Sequence, residues 1–200
     1  PVLGITKSPW VGFRYFIQFF ESPYFFRVLR NTLLISVYSI LWGFPIPIIF
    51  ALMTNDLKAG IYKKLVQAVS YIPYFISTVV VCGMLVNFLS PSSGIINSII
   101  KALGGEAINF LMEPSWFRTV FIASGIWQGF GWSAIVYLSA LTGVNPELYE
   151  AARVDGAGKL RQVWHVSIPC IMATIIVTFI MNLGTLMSVG YEKIILLYNP

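Results

Sequence analysis

His165 is the only histidine in the chain, and no thiol or carboxylate stands at ligand spacing beside it. Neither a metal centre nor a His-based catalytic pair is legible there. Cys82 and Cys170 fall within or at the edge of apolar runs, where they read as small packing residues rather than as a disulfide or metal pair. Gly158-Lys159-Leu160 lacks both the upstream glycine spacing and the hydroxyl of a phosphate-binding loop, so the chain should not hold ATP by that motif. No catalytic residue, cofactor or metal is expected. What remains is polar chemistry inside an apolar setting. Gln128, between Trp127 and Trp132, carries an amide that must find a partner in another helix, a water-filled path or a substrate. Thr178 and Asn182, four residues apart, can share one side of a helix.

The elements that must position these groups are long and apolar. Hydrophobic residues make up 57%, charged residues 10% and aromatics 16%, with a mean hydropathy of +0.78, which is a membrane composition. Charges are absent between Arg30 and Asp56, Lys64 and Lys101, Arg118 and Glu147, and Arg161 and Glu192. Each gap is long enough for a helix across the bilayer core. The reading is an all-α membrane protein, a polytopic helical bundle with spans over about 31–54, 68–89, 116–141 and 168–189. Residues 1–30, aromatic and basic, read as an interfacial or external segment. Residues 55–67 read as a short interfacial helix, and Ile95, Ile96, Ile99, Ile100 and Leu103 as one along the outer surface. Pro45 and Pro47 predict a kink near Gly43. From Pro169, a bilayer-long helix brings Tyr191 and the Glu192–Lys193 pair to the far side, where the pair reads as solvated at the interface, a substrate role being the alternative. The net charge of +5 and pI near 9.3 fit headgroup anchoring rather than nucleic acid. The chain starts without Met and stops after an apolar run, so it reads as a fragment lacking flanking spans.

Between the third and fourth spans, residues 145–169 form a polar interruption with its own pattern. Asn145 is a helix cap, Pro146 suits the first helical position, and Glu147 complements the positive end of the helix dipole. Leu148, Ala151, Ala152 and Asp155 share a narrow face of mostly small residues. Gly156 then breaks the helix, and Leu160, Val163, Trp164, Ser167 and Ile168 align on a second one.

Glu150-Ala151-Ala152, three residues, Gly156, nine residues, then Val166-Ser167-Ile168-Pro169 resembles the EAA loop of binding-protein-dependent ABC importer permeases. The usual ending there is Ile-x-Leu-Pro, from which this chain departs conservatively at two positions. RNTLLIS at 30–36, YIPYFIS at 71–77 and the run from Gly125 to Ala157 are similar to the carbohydrate-uptake subgroup. The resemblance implies a permease transmembrane domain over 31–200, in the cell membrane, whose cytoplasmic two-helix coupling loop docks on ABC ATPase subunits. It further implies a second permease subunit, an extracytoplasmic solute-binding protein and a sugar or oligosaccharide substrate. On that resemblance, Glu150 is the polar contact, Ala151 and Ala152 the close-fitting face and Gly156 the corner. Glu147, Asp155, Ala157 and Pro169 complete the coupling residues. Trp127, Gln128, Trp132, Thr178, Asn182 and Tyr191 are the translocation-path candidates, the aromatic rings being suited to sugar C–H faces.

Charge gives mixed support for orientation. Lys58, Lys63, Lys64, Arg153, Lys159 and Arg161 fall in the loops placed inside, but Lys7, Arg14, Arg27 and Arg30 argue the other way if their segment is external. A permease for a non-sugar solute is an alternative. A secondary transporter or channel would be favoured by carboxylates inside the spans, and none is present in them. An intramembrane enzyme would need a clustered catalytic pair.

Overall fold

The computed structural model describes residues 10–188 and 190–197. Lys7 and Pro9 of the expected interfacial segment, and Val189 at the end of the expected fourth span, lie outside the described residues. Every regular element among the described residues is helical. Hydrocarbon offers no partner for backbone N–H and C=O groups, and a helix pairs them within each segment.

The first elements are α1 (Arg14–Phe20), α2 (Phe25–Gly43) and α3 (Pro45–Asn55). The first long helix thus begins at Phe25, inside the segment assigned to the surface as far as residue 30. Phe44 keeps helical angles and its N–H bonds the Ile40 carbonyl at 3.0 Å. Phe25–Asn55 therefore continues as one helix of 31 residues despite Pro45 and Pro47.

The sharp bend lies in the next span instead. α4 (Ile61–Tyr71) runs into a 3-10 turn over Ile72–Phe75, and α5 (Thr78–Phe88) departs at 97°. The sequence pattern divides this region into a surface helix ending at residue 67 and a span over 68–89. The structure draws the boundary at Ile76 and Ser77, for local reasons. Pro73 cannot continue the ladder, the Ile76 N–H closes back on the Pro73 carbonyl at 3.2 Å, and Ser77 is extended with its hydroxyl accepting the Val80 N–H. That is a helix end followed by a capped helix start.

α6 (Ile95–Ala102) is the expected short helix, and Asn97 fastens it. This amide is 1% exposed and donates to the carbonyls of Leu89, Ser90 and Ile108 while accepting the Ile108 N–H at 2.8 Å. The remaining elements are α7 (Pro114–Thr142), α8 (Pro146–Val154), α9 (Lys159–Gln162), a π-helical turn at Val163–Ser167, α10 (Ile168–Gly184) and α11 (Tyr191–Leu197).

α7 is the axis of the bundle, packed against α2, α3, α4 and α10. One buried cluster joins Ala51 of α3, Ala134, Tyr137, Leu138 and Leu141 of α7, and Ile171 of α10. A second joins Ile35, Cys82, Phe121 and Leu197, which brings α11 back into the bundle. Small residues make the contacts close, since packing rather than water exclusion drives helix association in lipid. At Gly131 the approach is closest, because a Cβ there would overlap the Ser70 carbonyl of α4. Phe25–Asn55, Pro114–Thr142 and Lys159–Gly184 are each long and apolar enough to cross a bilayer, and the bent pair makes a fourth span if counted as one. Much of their apolar surface, including Trp42, Met53, Phe75 and Ile180, is left exposed by this chain, as expected where lipid or other helices cover it.

Candidate functional site

The polar elbow between α7 and α10 folds as its cap signals require. Asn145 accepts the Glu147 N–H through its side-chain oxygen at 3.0 Å, and Pro146 occupies the first turn of α8. At the other end Gly156 adopts φ +75. The Ala157 N–H reaches the Ala152 carbonyl at 2.8 Å and the Gly156 N–H the Arg153 carbonyl at 3.0 Å. This pair of bonds is a Schellman closure, and it needs a left-handed residue at the corner. After the corner, α9, the π turn and α10 form one helix of 26 residues, Lys159–Gly184. The π turn follows from Pro169. Its ring would crowd the His165 carbonyl in a regular helix, and widening to a bond from the Ile168 N–H to the Val163 carbonyl relieves this.

Three side-chain contacts lock the elbow. The Tyr149 hydroxyl and Ser167 hydroxyl lie 3.0 Å apart, joining α8 to the π turn. Gln162, buried, donates to the Ala157 carbonyl at 2.8 Å. Lys159 pairs with Asp56 at 2.9 Å, tying the start of α9 to the end of α3. Both partners of this pair are well exposed, so its role is positional and its worth in stability is small. Glu147, Glu150, Ala151, Asp155 and Gly156 are exposed, Ala152 and Ala157 are half-buried, and Pro169 is exposed at the start of α10. Val154, Leu160 and Trp164 add exposed apolar area at 87%, 78% and 66%. The elbow is internally satisfied and presents carboxylates, small residues and apolar side chains outward.

The path candidates separate. Gln128 and Asn182 line one cavity of about 430 Å³ between α2, α5, α7, α10 and α11, together with Ser39, Thr78, Ser133, Glu192 and Lys193. Gln128 also donates to the Ile76 carbonyl at 2.8 Å, which supplies a partner to a backbone group at the corner of the bent span. Leaving that carbonyl unpaired would cost about 1–3 kcal/mol. Trp127 lies on a different groove, with Tyr38, Trp42 and Arg118. Trp132 stacks on Tyr74 at 4.7 Å between ring centres and holds the 3-10 turn after α4 to α7. Thr178 bonds Tyr137 at 2.9 Å inside the helix contact. Tyr191 is 76% exposed and is not among the residues lining that cavity.

Sequence reasoning left a substrate role for Lys193 open but missed its burial. It is 9% exposed, donates to the Phe121 carbonyl at 2.8 Å and stands 4.8 Å over the Phe121 ring centre. The expectation of a solvated Glu192–Lys193 pair holds for Glu192, which is exposed, and fails for Lys193. α10 ends at Gly184 rather than running on, and the chain turns back so that α11 packs against α5. Gly184 and Gly190, a few residues apart near the end of the apolar run, were the available signal.

Comparisons with known proteins agree with this architecture. The chain matches the family described as binding-protein-dependent transport system inner membrane component over residues 24–189. It is 45% identical over 199 residues to the polygalacturonan/rhamnogalacturonan transport system permease protein YteP of Bacillus subtilis (strain 168), covering all of this chain and 62% of that protein. It is 43% identical to Protein LplB of the same organism, of which it covers 63%. The chain thus spans less than two thirds of the length of these curated relatives. A crystal structure of a bacterial ABC transporter involved in import of the acidic polysaccharide alginate superposes with a TM-score of 0.93 at 46% identity, over 97% of this chain and 68% of that one. A second alginate transporter structure, in complex with a periplasmic protein bound to alginate pentasaccharide, gives 0.92 at 44% identity, over 99% of this chain and 69% of that one. With most of its length matched in this way, the chain belongs to the inner membrane components of binding-protein-dependent transport systems.

Proposed function

We propose that this chain is part of the permease subunit of an ATP-driven importer that moves oligosaccharides across the cell membrane. In this reading α7 and α10 line the route with α2, α5 and α11, and the elbow lies on the cytoplasmic face against a separate ATPase subunit. The observation that carries the reading is the mechanical continuity of the elbow. α9 and α10 are one helix, Tyr149 is tied to Ser167, and Lys159 is tied to Asp56 at the end of α3.

A push on α8 is therefore transmitted to two spans at once. Closure of the ATPase pair would move α3 and α10 together against α7, exchanging outward for inward access as a rigid-body step. No bond is made or broken by this chain, and ATP hydrolysis belongs to the partner. A second permease subunit would complete the route, and an extracytoplasmic binding protein would deliver the solute. The names of the relatives support a carbohydrate oligomer as cargo.

The test uses the full-length permease co-purified with its ATPase and second permease subunits in proteoliposomes. Galacturonate oligomers delivered with the binding protein should enter only with ATP and at an ATPase rate raised by the loaded binding protein. Accumulation without nucleotide, or failure of the subunits to associate, contradicts the proposal.

A further inference from the structure

Among the described residues, Lys193 is the only buried charged side chain, and its position in the cavity wall is unusual. Its ammonium has three donors, one of which is taken by the Phe121 carbonyl at 2.8 Å. The Phe121 ring offers a further weak attraction through its face. The only ion pair among the described residues is Lys159–Asp56, so Lys193 has no carboxylate within bonding distance there. Glu192, its neighbour in α11, lines the same cavity but is exposed.

Burial of an ammonium without a counter-ion costs several kcal/mol even after relaxation. A methionine or leucine at position 193 would fill the same volume without that cost. The bundle nevertheless makes room for the charge. Gly125 of α7 faces it, and a Cβ there would lie 3.4 Å from the Lys193 nitrogen. Phe121 stands about 10 Å along α7 from its start, at roughly 1.5 Å per residue, which places the ammonium inside the bundle. A cation held at that depth, on a cavity rather than in sealed packing, is suited to a ligand that brings the anion with it.

We propose that Lys193 is the carboxylate-reading group of this cavity and that its ligand is an acidic oligosaccharide, one carrying uronic acid residues. The proposal rests on the reading that saccharides pass this cavity and narrows it to a charge class. The ligand carboxylate takes the remaining N–H donors of Lys193, while the Gln128 and Asn182 amides and the Ser133 hydroxyl lie on the same cavity to meet sugar hydroxyls. Phe130 contributes an apolar side chain to the wall of that cavity.

Direct binding of trigalacturonate and of its fully methyl-esterified form to the detergent-solubilised full-length permease–ATPase complex, without the binding protein, tests this. The two ligands share size and linkage and differ in charge. The intact complex should bind the acid at least about tenfold more tightly than the ester. Lys193→Met should bring the two affinities within about threefold of each other, and Lys193→Arg should keep most of the preference. Equal affinity for acid and ester in the unmodified complex overturns the charge-class proposal and leaves the saccharide reading standing. Binding of neither ligand overturns both. A preference that survives in Lys193→Met removes Lys193 from the role. Should that variant not assemble, the unmodified complex and Lys193→Arg decide the question alone.

Discussion

Gly131→Ala is expected to destabilise the bundle severely, while Gly129→Ala, two residues away on the same helix, is expected to be tolerated. A Cβ at 131 would overlap the Ser70 carbonyl, a backbone group that no rotamer change can move aside. At 129 a Cβ meets nothing within 4 Å. Separating α4 from α7 would loosen the Tyr74–Trp132 stack and the Gln128 bond to the Ile76 carbonyl, which cross the same seam. Overpacking against backbone costs about 3 kcal/mol or more, a fall of roughly 6–12 °C in midpoint temperature for a domain of this size. Gly129→Ala removes a helix-interior glycine and should gain up to about 1 kcal/mol. Thermal unfolding in detergent, followed by fluorescence-detected size exclusion, separates the two. Equal stability of both variants would mean that α4 and α7 do not approach at Gly131.

Gly156→Val should abolish coupled transport with little loss of folded protein. The corner sits at φ +75, in open space, so the penalty is conformational rather than steric. A β-branched residue held there costs about 1–2 kcal/mol or more, and the chain avoids the cost by opening the Schellman closure. Opening it releases the Ala157 bond to the Ala152 carbonyl and turns α8 away from α9. Transport should fall by more than about tenfold, the factor that 1.4 kcal/mol represents, while membrane insertion stays normal. Gly156→Asn should retain most activity, because Asn tolerates left-handed angles. Equal uptake rates for the Val and Asn variants would remove the corner from the mechanism.

The elbow was legible in the sequence because its signals are local. Asn145, Pro146 and Gly156 each fix a backbone conformation through their own chemistry, and each does so in the fold. The long apolar runs were legible for a similar reason, as a span needs only length and absence of charge. The bend at Ile76 was not. Hydropathy carries no direction, and the corner depends on Gln128, which is distant in the chain. Pro73 and the Ser77 cap hinted at a boundary, but an apolar run on both sides concealed it. Lys193 escaped because arithmetic from Pro169 assumed a straight helix to the far surface, whereas the turn after Gly184 returns the chain to the bundle. Gln128 was read as needing a partner, and its partner proved to be backbone as well as cavity. Thr178 and Asn182 share a helix side as their spacing implied, yet Thr178 is held by Tyr137 while Asn182 lines the cavity.

Contact at the elbow tests most directly whether an ATPase subunit grips this chain there. Ala151 is exposed on α8, beside Ala152, whose carbonyl is already engaged by the Ala157 N–H. Ala151→Cys in the full-length permease, paired with single cysteines on the ATPase surface, should give a crosslink whose yield changes between nucleotide-free and ATP-bound complexes. A cysteine at 151 that labels freely from the outer face of sealed vesicles, or that never crosslinks to the ATPase in an actively transporting complex, would contradict the account.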